Sequence, residues 1–267
     1  MTKRSRAFAL ALTAAALAQV ATPARSAEPT PSTLIERGFD FAKYGRLLKQ
    51  YTDAEGRVDY DALRARDAAT VDQLVASLAA SGPTLTPAQY STRGAPLAYY
   101  LCAYNLLVWK NLLDQRPARV DEKGFAFFKQ PKYRVDGHEV SLDDLEKRII
   151  RPRFQDGRIH FALNCASGGC PKLPREPFLP QQVDQQLDRE ARRFINEKRN
   201  VDYDVASNKL RLSMIFKWYR DDFAPSDPAL IDYLNKYRMT GVALPKSVPI
   251  EYIDYDWSLN DKALPVR

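Results

Sequence analysis

The sequence predicts an α+β fold in one mixed domain, with a mainly helical N-terminal half and short strands around a central cysteine/histidine cluster. Three observations carry that expectation. Apolar residues recur at helical spacing through most of the first half of the chain. Short apolar runs bounded by Gly, Asp and Pro read as strands and gather around and after the cluster. No internal repeat and no convincing linker divides the chain beyond its N-terminal segment. At 267 residues, 45% hydrophobic and 11% aromatic, the chain has ample material for a packed core.

The N-terminal segment comes first. Met1 to Arg6 is basic, Ala7 to Ala21 is uncharged and rich in Ala and Leu, and small residues follow around Ala24 and Ser26. That order reads as a secretory signal peptide over 1–26, with Ala24 at the −3 position, and a single domain over 28–267. The apolar run of about 15 residues is short for a membrane span, which needs roughly 20. The expectation is therefore a periplasmic or secreted protein with no stable membrane span after cleavage. Cleavage takes the formal charge from +7 to +3, because Lys3, Arg4, Arg6 and Arg25 leave with the segment. No dense basic block remains, so nucleic acid is not an expected partner.

Phe39 to Tyr51 has helical spacing, Val58 to Tyr60 reads as briefly extended, and Asp61 to Ala80 as one or two helices. Pro96 suits the first turn of a buried helix that carries Leu97 to Leu112, with Cys102 and Asn105 as its polar exceptions. A buried amide needs partners, so Asn105 is either a structural bracket or part of a site. Asp136-Gly137 between extended flanks signals a hairpin and leaves His138 solvated. Ser141 and Asp144 make a capping box for a helix that should stop before Pro152 and hold Glu146 near its apolar face. Ile159 to Leu163 reads as a strand, Val183 to Phe194 as an amphipathic helix, and Met214 to Tyr219 and Ala229 to Tyr237 as helices. Val201 to Tyr203, Lys209 to Leu212 and Ile250 to Ile253 read as strands.

The chemistry concentrates between His160 and Cys170, which hold one of two histidines and two of three cysteines. Three readings compete. One thiol is a nucleophile with His160 as base, and the backbone N–H groups of Ser167, Gly168 and Gly169 form an oxyanion hole. Alternatively, Cys165 and Cys170 form a disulfide, which an oxidising compartment favours. Or His160, Cys165 and Cys170 bind a metal, although the spacing is not a standard zinc pattern and a fourth ligand is not evident. If 159–163 is a strand, roughly 16 Å of backbone separates His160 from Cys165, so a direct pair requires the chain to turn back. Cys102, within an apolar run, reads as a small buried hydrophobe.

These residues resemble the domain of unknown function 547 family. The resemblance lies in His160-Phe161-Ala162-Leu163, Cys165-Ala166-Ser167 and Cys170-Pro171. It extends to Arg57-Val58-Asp59-Tyr60, Ala103-Tyr104-Asn105, Ser141 to Glu146, Phe216 to Tyr219 with Asp222-Phe223, and Tyr255 to Asn260. Function in the family is largely undefined. What the resemblance implies is a cysteine-hydrolase-like site at Glu146, His160 and Cys165. The chain departs from the family at Tyr99-Tyr100-Leu101-Cys102, where Phe-Trp-Ile-Asn is usual. A carboxylate to orient the imidazole is sought at Glu146, Asp254 or Asp256.

The resulting expectation is a thiol-dependent hydrolase or acyl transferase, cysteine hydrolase-like or transglutaminase-like, acting on a small-molecule or peptide substrate. Cys165 is its nucleophile, His160 its base and Glu146 its orienting group. Asn105, Ser167, Gly168, Gly169 and Cys170 support binding, and no metal or cofactor is expected. The alternative is a non-catalytic binding or scaffold protein with a structural Cys165–Cys170 disulfide.

Overall fold

The computed structural model describes residues 38–239 and 242–265, so the segment read as a signal peptide lies outside the described residues. Helix α1 (Phe41–Tyr51) starts where Asp40 accepts the Lys43 N–H, and buries Tyr44, Leu47, Leu48 and Tyr51. Asp59 caps α2 (Tyr60–Ala80) in the same way through Ala62. The expected one-or-two-helix segment is two helical stretches joined at a kink, where Asp67 leaves helical φ/ψ. Pro96 lies in the first turn of α3 (Ala95–Gln115), which is buried almost all round and forms the axis of the first core.

After α4 (Glu122–Lys129) comes the hairpin of β1 (Tyr133–Val135) and β2 (His138–Val140). Asp136 and Gly137 both take positive φ at its turn, and His138 is exposed. Asp136 is instead buried, accepting from the backbone of Thr84 and Leu85 and from the Tyr100 hydroxyl. Ser141 and Asp144 form the reciprocal capping box. The following helix, α5, does not stop before Pro152. It runs through Leu142–Asp144, a π-helical Leu145–Ile150 and Arg151–Phe154. Proline lacks the N–H that an α-helical turn would use, and a widened turn absorbs that loss. Glu146 sits on the widened turn.

A second correction concerns Ile159 to Leu163. It is not a strand but part of a 3-10 turn, Gly157–Phe161, opened by the Asp156 carboxylate on the Arg158 N–H. The N–H groups of Ala162 and Leu163 both return to the Ile159 carbonyl. All five residues are buried because two cores flank the turn. Ile159, Ala162 and Leu163 pack with the helices α1–α5, while Phe161 enters the second core.

That second core combines α6 (Val183–Ile195), α7 (Met214–Trp218), α8 (Arg220–Phe223) and α9 (Asp227–Tyr237) with a three-stranded sheet. Strands β3 (Val201–Asp204) and β4 (Lys209–Ser213) pair antiparallel; β4 pairs parallel with β5 (Ile250–Ile253), in the order β3-β4-β5. The fold is α+β, and its strands lie where the sequence places them. No helix among the described residues is long and apolar enough to cross a membrane.

Candidate active site

His160 lies at the seam between the two cores, 4% exposed. Its ring stacks on Tyr219 at 3.8 Å between centroids, and Nε2 shares a hydrogen bond of 2.7 Å with Asp222. Asp222 in turn accepts two bonds from the Arg151 guanidinium. His160 first, and then Arg151, hold the Asp222 carboxyl well below the usual carboxylate range. The orienting carboxylate is therefore Asp222, not Glu146, Asp254 or Asp256. Nδ1 of His160 makes no hydrogen bond among the described residues, and neither ring nitrogen bonds to Cys165 or Cys170.

Cys165 and Cys170 are joined as a disulfide whose α-carbons lie 6.1 Å apart. Cys165 Sγ contacts the Ser167 hydroxyl at 3.0 Å and the Tyr255 hydroxyl at 3.3 Å. Burial pushes the Tyr255 hydroxyl up, so it remains a donor at neutral pH. Cys102 is free and buried, donating to the Phe178 carbonyl, and burial raises its thiol far from thiolate character.

The loop between the cysteines is held from behind. Asn105 donates to the Ala162 carbonyl and accepts the Asn164 N–H, at 2.9 and 2.8 Å. Asn164 continues the bracket, accepting from Ala166 N–H and donating to the Pro171 carbonyl. The backbone N–H groups of Gly168 and Gly169 donate to the carbonyls of Ser258 and Asp256. They are thus spoken for and do not form the expected oxyanion hole. The close approach explains the glycines: a Cβ on Gly168 would lie 2.3 Å from the Asp256 carboxylate, and one on Gly169 would lie 2.8 Å from the Tyr255 ring.

His160, Cys165, Cys170 and Glu146 line one cleft of about 440 Å³. Its outer wall is aromatic, with Trp257 4.4 Å from Tyr255, 5.6 Å from Trp218 and 5.1 Å from Phe125 between ring centroids. Glu146 is 9% exposed, and its Oε1 is buried without a hydrogen-bond partner. Burial first, and then the Glu146 carboxylate, raises the neighbouring Tyr219 hydroxyl. Ser167 and Gly168 line a different cleft, on the opposite side of the loop, and Asn105 lines neither of these two. The predicted residues thus divide: four face one cleft, and the supporting ones hold the loop or face away.

The residues that sequence reasoning left without a role are Asp222, Arg151, Tyr219, Trp218, Tyr255 and Trp257. Most lie in the quoted Phe216 to Phe223 and Tyr255 to Asn260 pieces, which was the available signal. Asp222 is 62 positions from His160, so no local spacing links them. Among the described residues, no group of three or more His, Cys, Asp or Glu is placed to hold a metal ion.

Fold and cleft together define an α+β protein with an Asp-held histidine beside a disulfide loop. Residues 87–195 match the family described as "Protein of unknown function, DUF547". The match is narrower than the 57–260 span of the motif resemblance. It contains Asn105, Glu146, His160, Cys165 and Cys170, while Asp222 and the Trp218, Tyr255 and Trp257 wall lie beyond it. No curated protein and no solved structure matches the chain.

Proposed function

We propose that the cleft is a thiol-dependent hydrolase or acyl-transfer site that is latent while Cys165–Cys170 is closed. The observation that carries this reading is the convergence of His160, both cysteines and Glu146 on one cleft, with Asp222 fixing the imidazole through Nε2. Nδ1 is then the ring nitrogen left for proton transfer. A dithiol reductant opens the bond, supplying two electrons and two protons and leaving itself oxidised. The Cys165 thiol gives its proton to His160 through an intervening water, and its sulfur attacks a carbonyl carbon of the substrate. Collapse of the tetrahedral adduct expels the leaving group, which takes the proton back from the imidazole. Water or a second nucleophile then releases the acyl group from sulfur. The Tyr255 hydroxyl, 3.3 Å from the sulfur, is a donor placed to meet the developing oxyanion. Export of the chain, as its N-terminal segment reads, would put the resting form in an oxidising compartment.

Alkylation of the purified protein before and after reduction, followed by site mapping, tests this. The expected result is that reduced Cys165 reacts about tenfold faster than an unperturbed thiol at neutral pH, and that His160→Gln removes the excess. Equal rates at Cys165, Cys170 and an unstructured peptide thiol would sink the catalytic reading. A second reading, a non-catalytic binding cleft with a structural disulfide, is favoured by the closed bond itself. It expects reduction to lower stability without any gain in reactivity.

A further inference from the structure

The cleft contains a carboxylate oxygen that nothing among the described residues satisfies. Glu146 Oε1 is buried and without a hydrogen-bond partner, although basic side chains stand nearby. Each of those cations is engaged elsewhere. The Arg151 guanidinium is committed in two bonds to Asp222. Lys147 bonds to Asp143 at 2.6 Å. Lys129 bonds to the Gly124 carbonyl and lies over the Phe125 ring, on the outer aromatic side of the cleft. A buried carboxylate with an open lone pair is costly, because burial removes the water that would otherwise satisfy it. Its position on the π-helical turn of α5 is of the kind that often marks functional sites.

Across the same cleft, Trp218, Tyr255 and Trp257 present a clustered aromatic wall, and Trp218 is 44% exposed. Aromatic faces attract cations through their quadrupole, most strongly when the cation is partly desolvated. A buried carboxylate with one open oxygen and an aromatic wall select the same ligand feature. A neutral donor could hydrogen-bond the open Glu146 oxygen but would leave its charge uncompensated, and an anion would be repelled by it. We infer that the cleft binds an organic cation, an amine or ammonium group on an apolar or aromatic body, with the charge at Glu146 and the body against Trp218, Tyr255 and Trp257. This rests on the cleft being the functional site and names the substrate class it would take.

The test uses the disulfide-closed full chain, so no thiol chemistry is required of it. Benzylamine, benzyl alcohol and benzoate are titrated by calorimetry and by quenching of tryptophan fluorescence. The expected result is that benzylamine binds about tenfold more tightly than benzyl alcohol, and that benzoate binds most weakly. Glu146→Gln should weaken benzylamine about tenfold and bring its affinity towards that of benzyl alcohol. Trp257→Ala should weaken both and preserve their ratio, and near-UV circular dichroism checks that each variant is folded. Benzyl alcohol or benzoate binding as tightly as benzylamine, a preference that survives Glu146→Gln, or no binding of any of the three overturns the proposal. Cys165 labelling is a separate readout, so amine selectivity can fail while the thiol reading stands, and the reverse.

Discussion

The Cys165–Cys170 loop has two sides built from similar polar material and left in opposite states. Towards the C-terminal residues, each polar group described above is paired. Gly168 and Gly169 donate to Ser258 and Asp256, Asn260 N–H reaches the Ala166 carbonyl, and Asn164 is bonded through both ends of its amide. Towards α5, and among the described residues, Glu146 keeps an unpartnered oxygen, His160 keeps an unbonded Nδ1, and Trp218 remains substantially exposed. Closely packed, saturated hydrogen bonding stabilises, whereas unsatisfied buried polar atoms cost stability and persist where a ligand completes them. One side holds the loop still, and the other is where something binds.

Substitutions can break that contrast, and Asn105→Ala should have the largest effect. It orphans the buried Ala162 carbonyl and Asn164 N–H, at about 1–3 kcal/mol each. A thermal melt should show a Tm lower by at least about 4 °C; an unchanged Tm would mean that water replaces the amide and the bracket is dispensable. Opening the disulfide should cost somewhat less. Closing so short a loop restricts the unfolded chain by about 2 kcal/mol, and urea unfolding of the Cys165→Ser, Cys170→Ser double variant measures it.

Asp222→Asn should cost about 1 kcal/mol at neutral pH, discounted because the side chain is 26% exposed. The Asp222 pKa is depressed by His160 and Arg151, so its contribution is present above the unfolded carboxyl pKa, about 4. It is lost as pH falls through the lower folded value. Parent and variant stabilities should therefore differ at pH 7 and converge in acid, and a gap that persists or widens there would assign the effect to packing. The smallest change belongs to Glu146→Gln, which replaces a buried carboxylate with one open oxygen by a neutral amide. Unfolding should show no loss, or a gain below about 1 kcal/mol. A clear loss would make Glu146 a structural residue and erase the contrast between the two sides.

Much of the scaffold was legible because local rules dominate there. The capping box at Ser141, the Asp136-Gly137 turn and the three strands β3, β4 and β5 each follow from a few neighbouring residues. Legibility failed at Ile159 to Leu163, where an apolar run looked like a strand. A run buried on both faces has no period to read, and here it is a 3-10 turn wedged between two cores. The same failure removes the strand premise for separating His160 from Cys165, although no hydrogen bond joins the two among the described residues. Pro152 also misled, since a π-helical turn carries α5 past it.

By itself, the sequence determined the α+β class, the family resemblance and the region where the reactive side chains gather. Short-range physics suffices for these: helical and strand periodicity, capping chemistry, and the rarity of histidine and cysteine in this chain. Which carboxylate holds His160, which cysteine is free and which glycine N–H groups are occupied were decided only by tertiary structure. The partners of His160 and of the glycine N–H groups lie tens of residues away, whereas the free cysteine follows from the Cys165–Cys170 bond across five positions. Hydrogen-bond partners at that distance leave no spacing to read. Packing alone selects Asp222 over Glu146 and leaves the Glu146 oxygen open.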